Sequence, residues 1–323
     1  MMRVTQAWLP ALAFGAAAGA QAAPQDDPLA WLQRAANASR TSAYSGTFVH
    51  TNGERTSTVR IAHAIIDGVE QERVEPLEGQ PHEIVRRGDD MICYMPEQKT
   101  MRLDKRVSAR FFPSIFRGPP EALAENYTLK LGNQERMLGL DCQWIRLDPK
   151  DALRYAQRLC VEVTTGLLLR ARTLNERKQV IEQWTFTDLK MGSQVARSDV
   201  KPTLQSRVKS WTTDAQPRDE AKGVDTGWEV TNLPAGYRKI GEMRRTMPGR
   251  QMPVSQIVLS DGLATISVFV EPAGMPARPA EAASEEGTTS FFVRPAGDNV
   301  VTVLGEVPIA AAQQVGRSVS RRP

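Results

Sequence analysis

The sequence has few of the residues from which catalytic and metal centres are built. It contains three histidines and three cysteines in 323 residues. His50, His63 and His82 lack the close pairing of a zinc-binding helix, because no second histidine follows His82 at helical spacing. The sequence also lacks a Cys-x-x-Cys pair, a glycine-rich phosphate loop and a Gly-x-Ser-x-Gly elbow. It therefore predicts no catalytic residues, no metal site, no cofactor and no enzymatic activity.

One spacing matches a catalytic motif. Ser206 and Lys209 are separated as in the Ser-x-x-Lys of penicillin-recognising enzymes. That chemistry requires the pair on a buried helix with a Lys-Thr-Gly strand opposite, and the sequence contains no Lys-Thr-Gly. Because the pair falls in a polar segment, we interpret the spacing as chance. A hydrolase remains a rival hypothesis that depends on these two residues alone.

Long apolar runs are also missing, apart from one at the beginning of the chain. Residues 7–20 are uncharged and rich in alanine, and Arg3 precedes them. The run ends with small residues at Ala20 and Ala22, the two positions that a signal peptidase recognises. This pattern is typical of a secretion signal, whereas a membrane-spanning helix needs about 20 strongly apolar residues. We predict a signal peptide at residues 1–22 and a soluble mature chain outside the cytoplasm.

The chain has no concentrated charge of either sign. Its 41 basic and 37 acidic residues are interleaved and give a formal net charge of +4. A nucleic-acid-binding protein would have a basic patch with aromatic residues between the charges. Nucleic acid is therefore excluded as an expected partner. The length and the 41% hydrophobic content are sufficient for two globular domains.

The hydrophobic pattern predicts one early helix followed by many short strands. Asp27 and Pro28 are a capping residue and a first-turn proline. From residue 44 onwards short alternating runs are separated by turn dipeptides such as Asn52-Gly53, which predicts an antiparallel meander. We expect a mainly β (α+β) fold. Its predicted parts are a large N-terminal domain at 23–192, a linker at 193–226 and a small C-terminal sheet domain at 227–323.

Two segments of these domains are predicted not to be strands. Residues 272–287 are rich in Pro, Ala and Glu, which predicts a mobile loop. After a helix predicted at residues 309–319, the chain end at residues 321–323 is predicted to be loose.

Cys142 and Cys160 flank a predicted hairpin with its turn at residues 148–151. This turn would place the two cysteines nearly opposite each other, within reach of a disulfide. The alternative is that they are two small buried apolar residues without a bond. Cys93 is expected to be a buried thiol on its own strand.

One apolar insertion interrupts the meander at residues 107–124 and is expected to be helical or irregular. It carries Phe111, Phe112, Ile115 and Phe116, with several arginines around it. An open sheet covered by such a segment would make a lipid cavity, and flanking arginines would bind headgroup phosphates. The candidate lipid-binding residues are Phe111, Phe112, Ile115, Phe116, Arg106 and Arg110. The alternative is that the phenylalanines are ordinary core and the arginines a solvated face.

Several runs in both halves of the chain resemble one known family. They occur in the family's order, with a linker between the two groups. The runs are HAIIDG at 63–68, EIVRRG at 83–88, Trp228 with LPAGY at 233–237, SDGLATISVFVE at 260–271 and VLGEVP at 303–308. Together they resemble the RseB/MucB proteins, periplasmic regulators of an envelope-stress sigma factor.

The resemblance implies a fold and a function. The first domain would be similar to the lipoprotein-carrier fold, a curved antiparallel sheet closed by helices. The protein would bind the periplasmic part of a membrane anti-sigma factor, shield it from proteolysis and release it when lipopolysaccharide or another lipid binds. We expect Arg244, Arg245 and Arg250 as candidate partner contacts. The alternative function is a periplasmic lipid or lipoprotein carrier, and a homo-oligomer is left open.

Overall fold

The computed structural model describes residues 27–104, 111–204, 210–215, 224–245, 253–273 and 280–322. The predicted signal peptide lies outside the described residues, as do Ser206 and Lys209. Within the described ranges no helix is both long and apolar enough to cross a membrane. A 12-stranded sheet, a 6-stranded sheet and a 2-stranded sheet make up most of the described structure, so the predicted mainly β class is confirmed.

The first helix begins where the sequence predicts. Helix α1 is Pro28–Thr41, and the Asp27 carboxylate accepts a hydrogen bond from the Leu29 backbone N–H at 2.9 Å. This cap satisfies one of the free donors at the helix start. Trp31 and Leu32 on its inner face are buried in the core of the large sheet.

Twelve strands form the large curved sheet. In chain order they are β1 Tyr44–Asn52, β2 Arg55–Ile66, β3 Val69–Pro76, β4 Glu83–Arg87, β5 Asp90–Met95, β6 Thr100–Asp104, β7 Tyr127–Met137, β8 Leu140–Pro149, β9 Ala156–Glu162, β10 Leu168–Leu174, β11 Val180–Met191 and β12 Thr212–Ala215. The order across the sheet is β12-β6-β5-β4-β3-β2-β1-β11-β10-β9-β8-β7. Two meanders are therefore joined by the antiparallel pairing of β1 with β11. Between β6 and β7 lie a 3-10 turn, Pro120–Ala122, and the short helix α2, Leu123–Asn126.

Part of the segment predicted as a linker belongs to this sheet. β12 pairs in parallel with β6 and extends the edge of the sheet. Val200 is buried against Ala62 and Ala64, and the Thr203 and Leu204 backbone N–H groups donate to Glu83. The polar composition concealed these contacts because most of them are hydrogen bonds rather than apolar packing.

The second sheet is smaller and antiparallel. The strands of the C-terminal region are β13 Trp228–Val230, β14 Arg238–Arg245, β15 Val254–Ser260, β16 Thr265–Pro272, β17 Ala282–Glu286, β18 Thr289–Ala296, β19 Asn299–Gly305 and β20 Val319–Arg321. Six of them form this sheet in the order β14-β15-β16-β19-β18-β17. Helix α3, Ile309–Arg317, packs on one face of the six-stranded sheet, where Gly316 lies against the Phe292 ring.

Two predictions for this region are wrong. Residues 282–286, expected in a mobile loop, form β17, which pairs with β18. The chain end is not loose at residues 321 and 322, because Arg321 pairs with Trp228 of β13 and the Arg322 N–H donates to the Gly227 carbonyl oxygen at 3.0 Å. β17 is a short strand at the edge of the six-stranded sheet, and β20 belongs to a separate two-stranded sheet. Neither strand therefore has a strong apolar pattern in its sequence.

The structure joins Cys142 and Cys160 in a disulfide, with the Cα atoms 5.5 Å apart. The cysteines are nearly but not directly opposite, since Cys142 lies opposite Glu162 and Cys160 opposite Trp144. β9 begins only at Ala156, and within the long turn before it the Asp151 carboxylate accepts a hydrogen bond from the Leu153 N–H. The cysteines are thus diagonal neighbours on one face. Cys93 lies half-buried on β5 as a free thiol.

Candidate ligand and partner sites

The apolar insertion is packed against the core of the large sheet. The Phe112 ring lies 5.3 Å from Phe48, 5.1 Å from Phe186 and 6.0 Å from Trp184, measured between ring centroids. Phe116 is buried in the same core, while Phe111 and Ile115 are partly buried against it. Phe112 and Phe116 therefore pack as core side chains, and a lipid-binding role for the insertion stays a prediction.

The candidate arginines are not brought together at one site within the described residues. Arg106 and Arg110 lie outside them, and so does Arg250. Arg244 is exposed on β14 and donates to the Thr226 carbonyl oxygen at 3.4 Å, and Arg245 ends the same strand. β14 is an edge strand of the six-stranded sheet.

A buried polar junction joins the two sheets, and the sequence did not predict it. Its centre is Arg154, whose side chain is 0% exposed. The guanidinium donates to the Ala235 carbonyl oxygen, lies 3.2 Å from Asp151 and is 3.5 Å from Asp261. It also lies over the rings of Tyr127 and Tyr237, at 5.6 and 5.5 Å from their centroids. Such a buried cation is stable only while these partners remain.

Asp261 holds the other half of this ion pair. One carboxylate oxygen accepts hydrogen bonds from the Leu263 and Ala264 N–H groups, at 3.0 and 2.9 Å. The other accepts from the Tyr127 hydroxyl at 3.3 Å. Burial, followed by the Asp261 charge, raises the pKa of Tyr127 well above its usual value. Tyr127 therefore remains a neutral donor across the physiological pH range.

Further contacts surround the junction. The Tyr155 hydroxyl donates to Glu285 at 2.7 Å, and the Thr288 N–H donates to the Asn52 side-chain oxygen at 2.9 Å. The Arg117 N–H donates to the Gly262 carbonyl oxygen at 2.8 Å. Because Arg117 directly follows Phe116, the aromatic insertion of the large domain is bonded to a turn of the small one.

The runs LPAGY and SDGLATISVFVE supply many of these junction contacts. Gly236 has a φ of +75°, and a Cβ at this position would lie 2.0 Å from the Asn126 side chain. Glycine is favoured at this position because of its positive φ, and a Cβ there would force the Asn126 amide to move. Local periodicity does not reveal these contacts. The one signal in the sequence is that LPAGY lacks strand periodicity, which indicates a loop held by tertiary contacts.

A second buried polar network lies within the large sheet. His63 is 0% exposed and its Nε2 lies 3.1 Å from Glu70, which also accepts from Arg86 at 2.7 Å. The hydrogen bond with His63, followed by that with Arg86, lowers the pKa of Glu70 to about 2. Burial raises the pKa of the neighbouring Glu72. In the described part of the chain, no three His, Cys, Asp or Glu side chains cluster as metal ligands.

Two sheets docked through a buried arginine–aspartate pair define a two-domain β protein with no cluster of metal ligands among its described residues. Comparison with known sequences identifies its family. A model of the MucB/RseB N-terminal domain matches residues 27–204, and a model of the MucB/RseB C-terminal domain matches residues 222–320. The chain belongs to the MucB/RseB family, which confirms the resemblance seen in its motifs.

Individual relatives match over nearly the whole chain. The chain is 31% identical over 323 residues to the sigma factor AlgU regulatory protein MucB of Pseudomonas aeruginosa, with 98% of each covered. It is 23% identical over 304 residues to the sigma-E factor regulatory protein RseB of Escherichia coli, covering 94% of this chain and 92% of the relative.

Solved structures of relatives share the two-domain fold. A crystal structure of MucB in complex with MucA(peri) has a TM-score of 0.73 and 28% identity, covering 92% of this chain and 100% of that one. The complex structure of Pseudomonas aeruginosa MucA/MucB has a TM-score of 0.75 and 29% identity, covering 92% and 99%.

Proposed function

We propose that this chain is a periplasmic negative regulator of a sigma-E-type factor. It binds the periplasmic part of a membrane anti-sigma factor and shields that segment from proteolysis. The observation that carries the proposal is the match of both domains together to MucB solved with MucA(peri), at a TM-score of 0.73 over 92% of the chain. Since the match includes both sheets, it supports a shared mode of partner binding rather than a shared domain alone.

The junction gives this function a physical basis. A partner segment that contacts both domains binds more tightly when the domains are already held in one arrangement, because less motion is lost on binding. Arg154 and Asp261 supply that fixed arrangement. We propose that an extended segment of the anti-sigma factor pairs with the edge strand β14, while Arg244, Arg245 and Arg250 contact its acidic side chains.

Release by lipopolysaccharide or another lipid is the second part of the proposal. An acyl chain that enters the core at the insertion must displace Phe112, with Phe111 and Ile115 at the entrance. The backbone bond from Arg117 to Gly262 connects that insertion to the turn that holds Asp261. Lipid entry thereby alters the junction and lowers the affinity for the partner, which is a coupling between two distinct sites.

The test is a protection experiment with the mature full-length chain. We mix it with the periplasmic fragment of the anti-sigma factor from the same genome and the protease that cleaves that fragment first. Protection that is lost on adding lipopolysaccharide is the expected result. Failure to protect the fragment would contradict the regulator function and favour a lipid or lipoprotein carrier. Protection that lipopolysaccharide does not change would contradict only the proposed release by lipid.

A matched pair of variants tests the partner surface. Arg244→Glu reverses an exposed charge on β14 and should weaken fragment binding about tenfold, which corresponds to about 1.4 kcal/mol. Arg177→Glu reverses an equally exposed charge in the β10–β11 turn and should leave affinity unchanged. Equal loss in both variants would show that only net charge matters.

A further inference from the structure

Four cations lie side by side across the last four strands of the large sheet. The paired residues are Lys130 with Arg146, Arg146 with Arg158, and Arg158 with Arg172, on β7, β8, β9 and β10. We name these four residues the cation ladder. Directly opposed like charges destabilise a sheet, so a row of four is unfavourable unless something binds it. The ladder occupies the face opposite Ile145, Leu147 and Leu159, which are buried in the core.

The carboxylates paired with the ladder are too few to balance it. Asp148 pairs with Arg158 at 2.5 Å and with Arg146 at 3.4 Å. Glu135 pairs with Arg170, a fifth cation beside the ladder, at 3.1 Å. Arg172 donates from Nε to the neutral Gln183 amide oxygen at 2.6 Å. Five cations against two carboxylates leave an excess of three positive charges.

The excess charge lies around a groove rather than on a flat surface. A cavity of about 510 Å³ is lined by Arg146, Arg158, Arg172 and Trp144, together with the bulged residues that begin at Gly132. The β7–β8 register shifts between Leu131 and Gln134 and opens the strand edge there. A Cβ on Gly132 would lie 3.0 Å from the Trp144 Cβ, so a glycine allows the bulge to approach the Cβ and backbone of Trp144.

The side chains of the groove are held in place. The Trp144 indole N–H donates to Glu135 at 2.8 Å, and the Arg172 guanidinium lies 5.2 Å from the Trp144 ring centroid. Arg158 also donates to the Gln157 carbonyl oxygen at 2.8 Å. Burial, followed by the Arg170 charge, lowers the pKa of Arg172, which is the effect expected where positive charge is crowded. Ordered arginines lose little freedom when they bind an anion.

We propose that this groove is a binding site for phosphate groups, carried by a soluble phosphate compound or by a lipid headgroup. Neighbouring strands are about 4.8 Å apart, so one phosphate with several oxygens bridges two adjacent guanidinium groups. Carboxylates on one side of an extended acidic peptide are about 6.7 Å apart and fit this spacing less well. If a lipid is the releasing signal, its phosphates bind here. Only this link to release depends on the proposed function.

Direct binding measurements test the site without any anti-sigma factor, so that its failure is distinct from failure of the proposed function. The full mature chain is titrated with pyrophosphate, with phosphatidylcholine vesicles and with vesicles that also contain phosphatidic acid. Binding of pyrophosphate indicates a soluble phosphate compound, and binding of the acidic vesicles alone indicates a headgroup. Both results support the proposal. The proposal is overturned if neither pyrophosphate nor the acidic vesicles bind. It is also overturned if a polyglutamate peptide binds more tightly than these probes and its binding requires the cation ladder.

Variants assign the binding to these residues. Arg158→Gln with Arg172→Gln should weaken binding about tenfold or more, the loss expected for one charge-assisted hydrogen bond. The exposed pair Lys130→Gln with Arg146→Gln leaves the core untouched and should also weaken it, which keeps the test valid if the first variant unfolds. Arg136→Gln with Arg177→Gln removes the same charge from exposed positions elsewhere in the large domain and should have less than about a twofold effect. Equal losses in all three variants would contradict a specific site.

Discussion

Replacing Arg154 by methionine should weaken the junction between the two domains more than any change of an exposed ion pair. Methionine fills much of the space of the arginine stem but removes the charge. Asp261, whose side chain is 0% exposed, then loses its cationic partner in a buried site. The Ala235 carbonyl oxygen loses its donor at the same time. The variant should therefore unfold more easily and hold its domains less firmly.

The magnitude follows from the geometry. The Arg154–Asp261 contact of 3.5 Å corresponds to about 5 kcal/mol at an effective dielectric constant of about 20. Removing one partner of a buried ion pair costs about 3–5 kcal/mol in general. With a urea dependence of about 3 kcal/mol per molar, a loss of about 3 kcal/mol lowers the unfolding midpoint by about 1 M.

Urea unfolding followed by circular dichroism measures this loss, with Arg55→Met as the matched control. Arg55 also crosses between the domains, to Glu286 at 3.0 Å, but the two side chains are 80% and 61% exposed. An exposed pair contributes about 0–1 kcal/mol, so the control should change little. Equal midpoints for the two variants would refute the claim that Arg154 anchors the junction.

Three further changes have defined outcomes. Replacing Cys142 and Cys160 by alanine opens a link between positions 18 residues apart and should cost about 3 kcal/mol of unfolding free energy, measured in urea; a loss below about 1 kcal/mol would contradict it. Because the pKa of Glu70 is about 2 instead of 4.5, its stabilisation is present above pH 4.5 and is lost as the pH falls towards 2. Glu70→Gln should flatten that part of the stability–pH curve, and an unchanged slope would count against the network. Gly236→Ala should cost more than about 1 kcal/mol in thermal or urea unfolding, because φ is +75° and Asn126 blocks the methyl group; wild-type stability would show that the turn adapts.

The strands were predictable because their alternation is local. β1 begins at Tyr44, where the predicted alternation begins, and the predicted turn at Asn52-Gly53 separates it from β2. β17 and β12 were missed because their stability comes from one neighbouring strand and not from burial of an apolar face. The exact register of Cys142 and Cys160 depends on a long turn in which the Asp151 carboxylate accepts a hydrogen bond from the Leu153 N–H, and such a turn has no periodic signal.

The sites were harder to predict than the fold. The phenylalanines of the insertion were singled out by composition, yet Phe112 packs in a core that the sequence also predicts. Arg154 and Asp261 are about one hundred residues apart in the chain, and no periodicity links them. The cation ladder depends on the register of β7 to β10, which two irregularities change. Such juxtapositions exist only after the strands have paired.

We propose that this chain binds the periplasmic part of a membrane anti-sigma factor with both domains held together. Calorimetric titration of the mature chain with that purified segment measures this binding, using wild type and Arg154→Met under conditions where both are folded. We expect saturable binding by wild type at micromolar or tighter affinity, about −8 kcal/mol or better, and weaker binding by the variant. Absence of binding by wild type would contradict the function, and equal affinity of the two proteins would contradict the role of the junction.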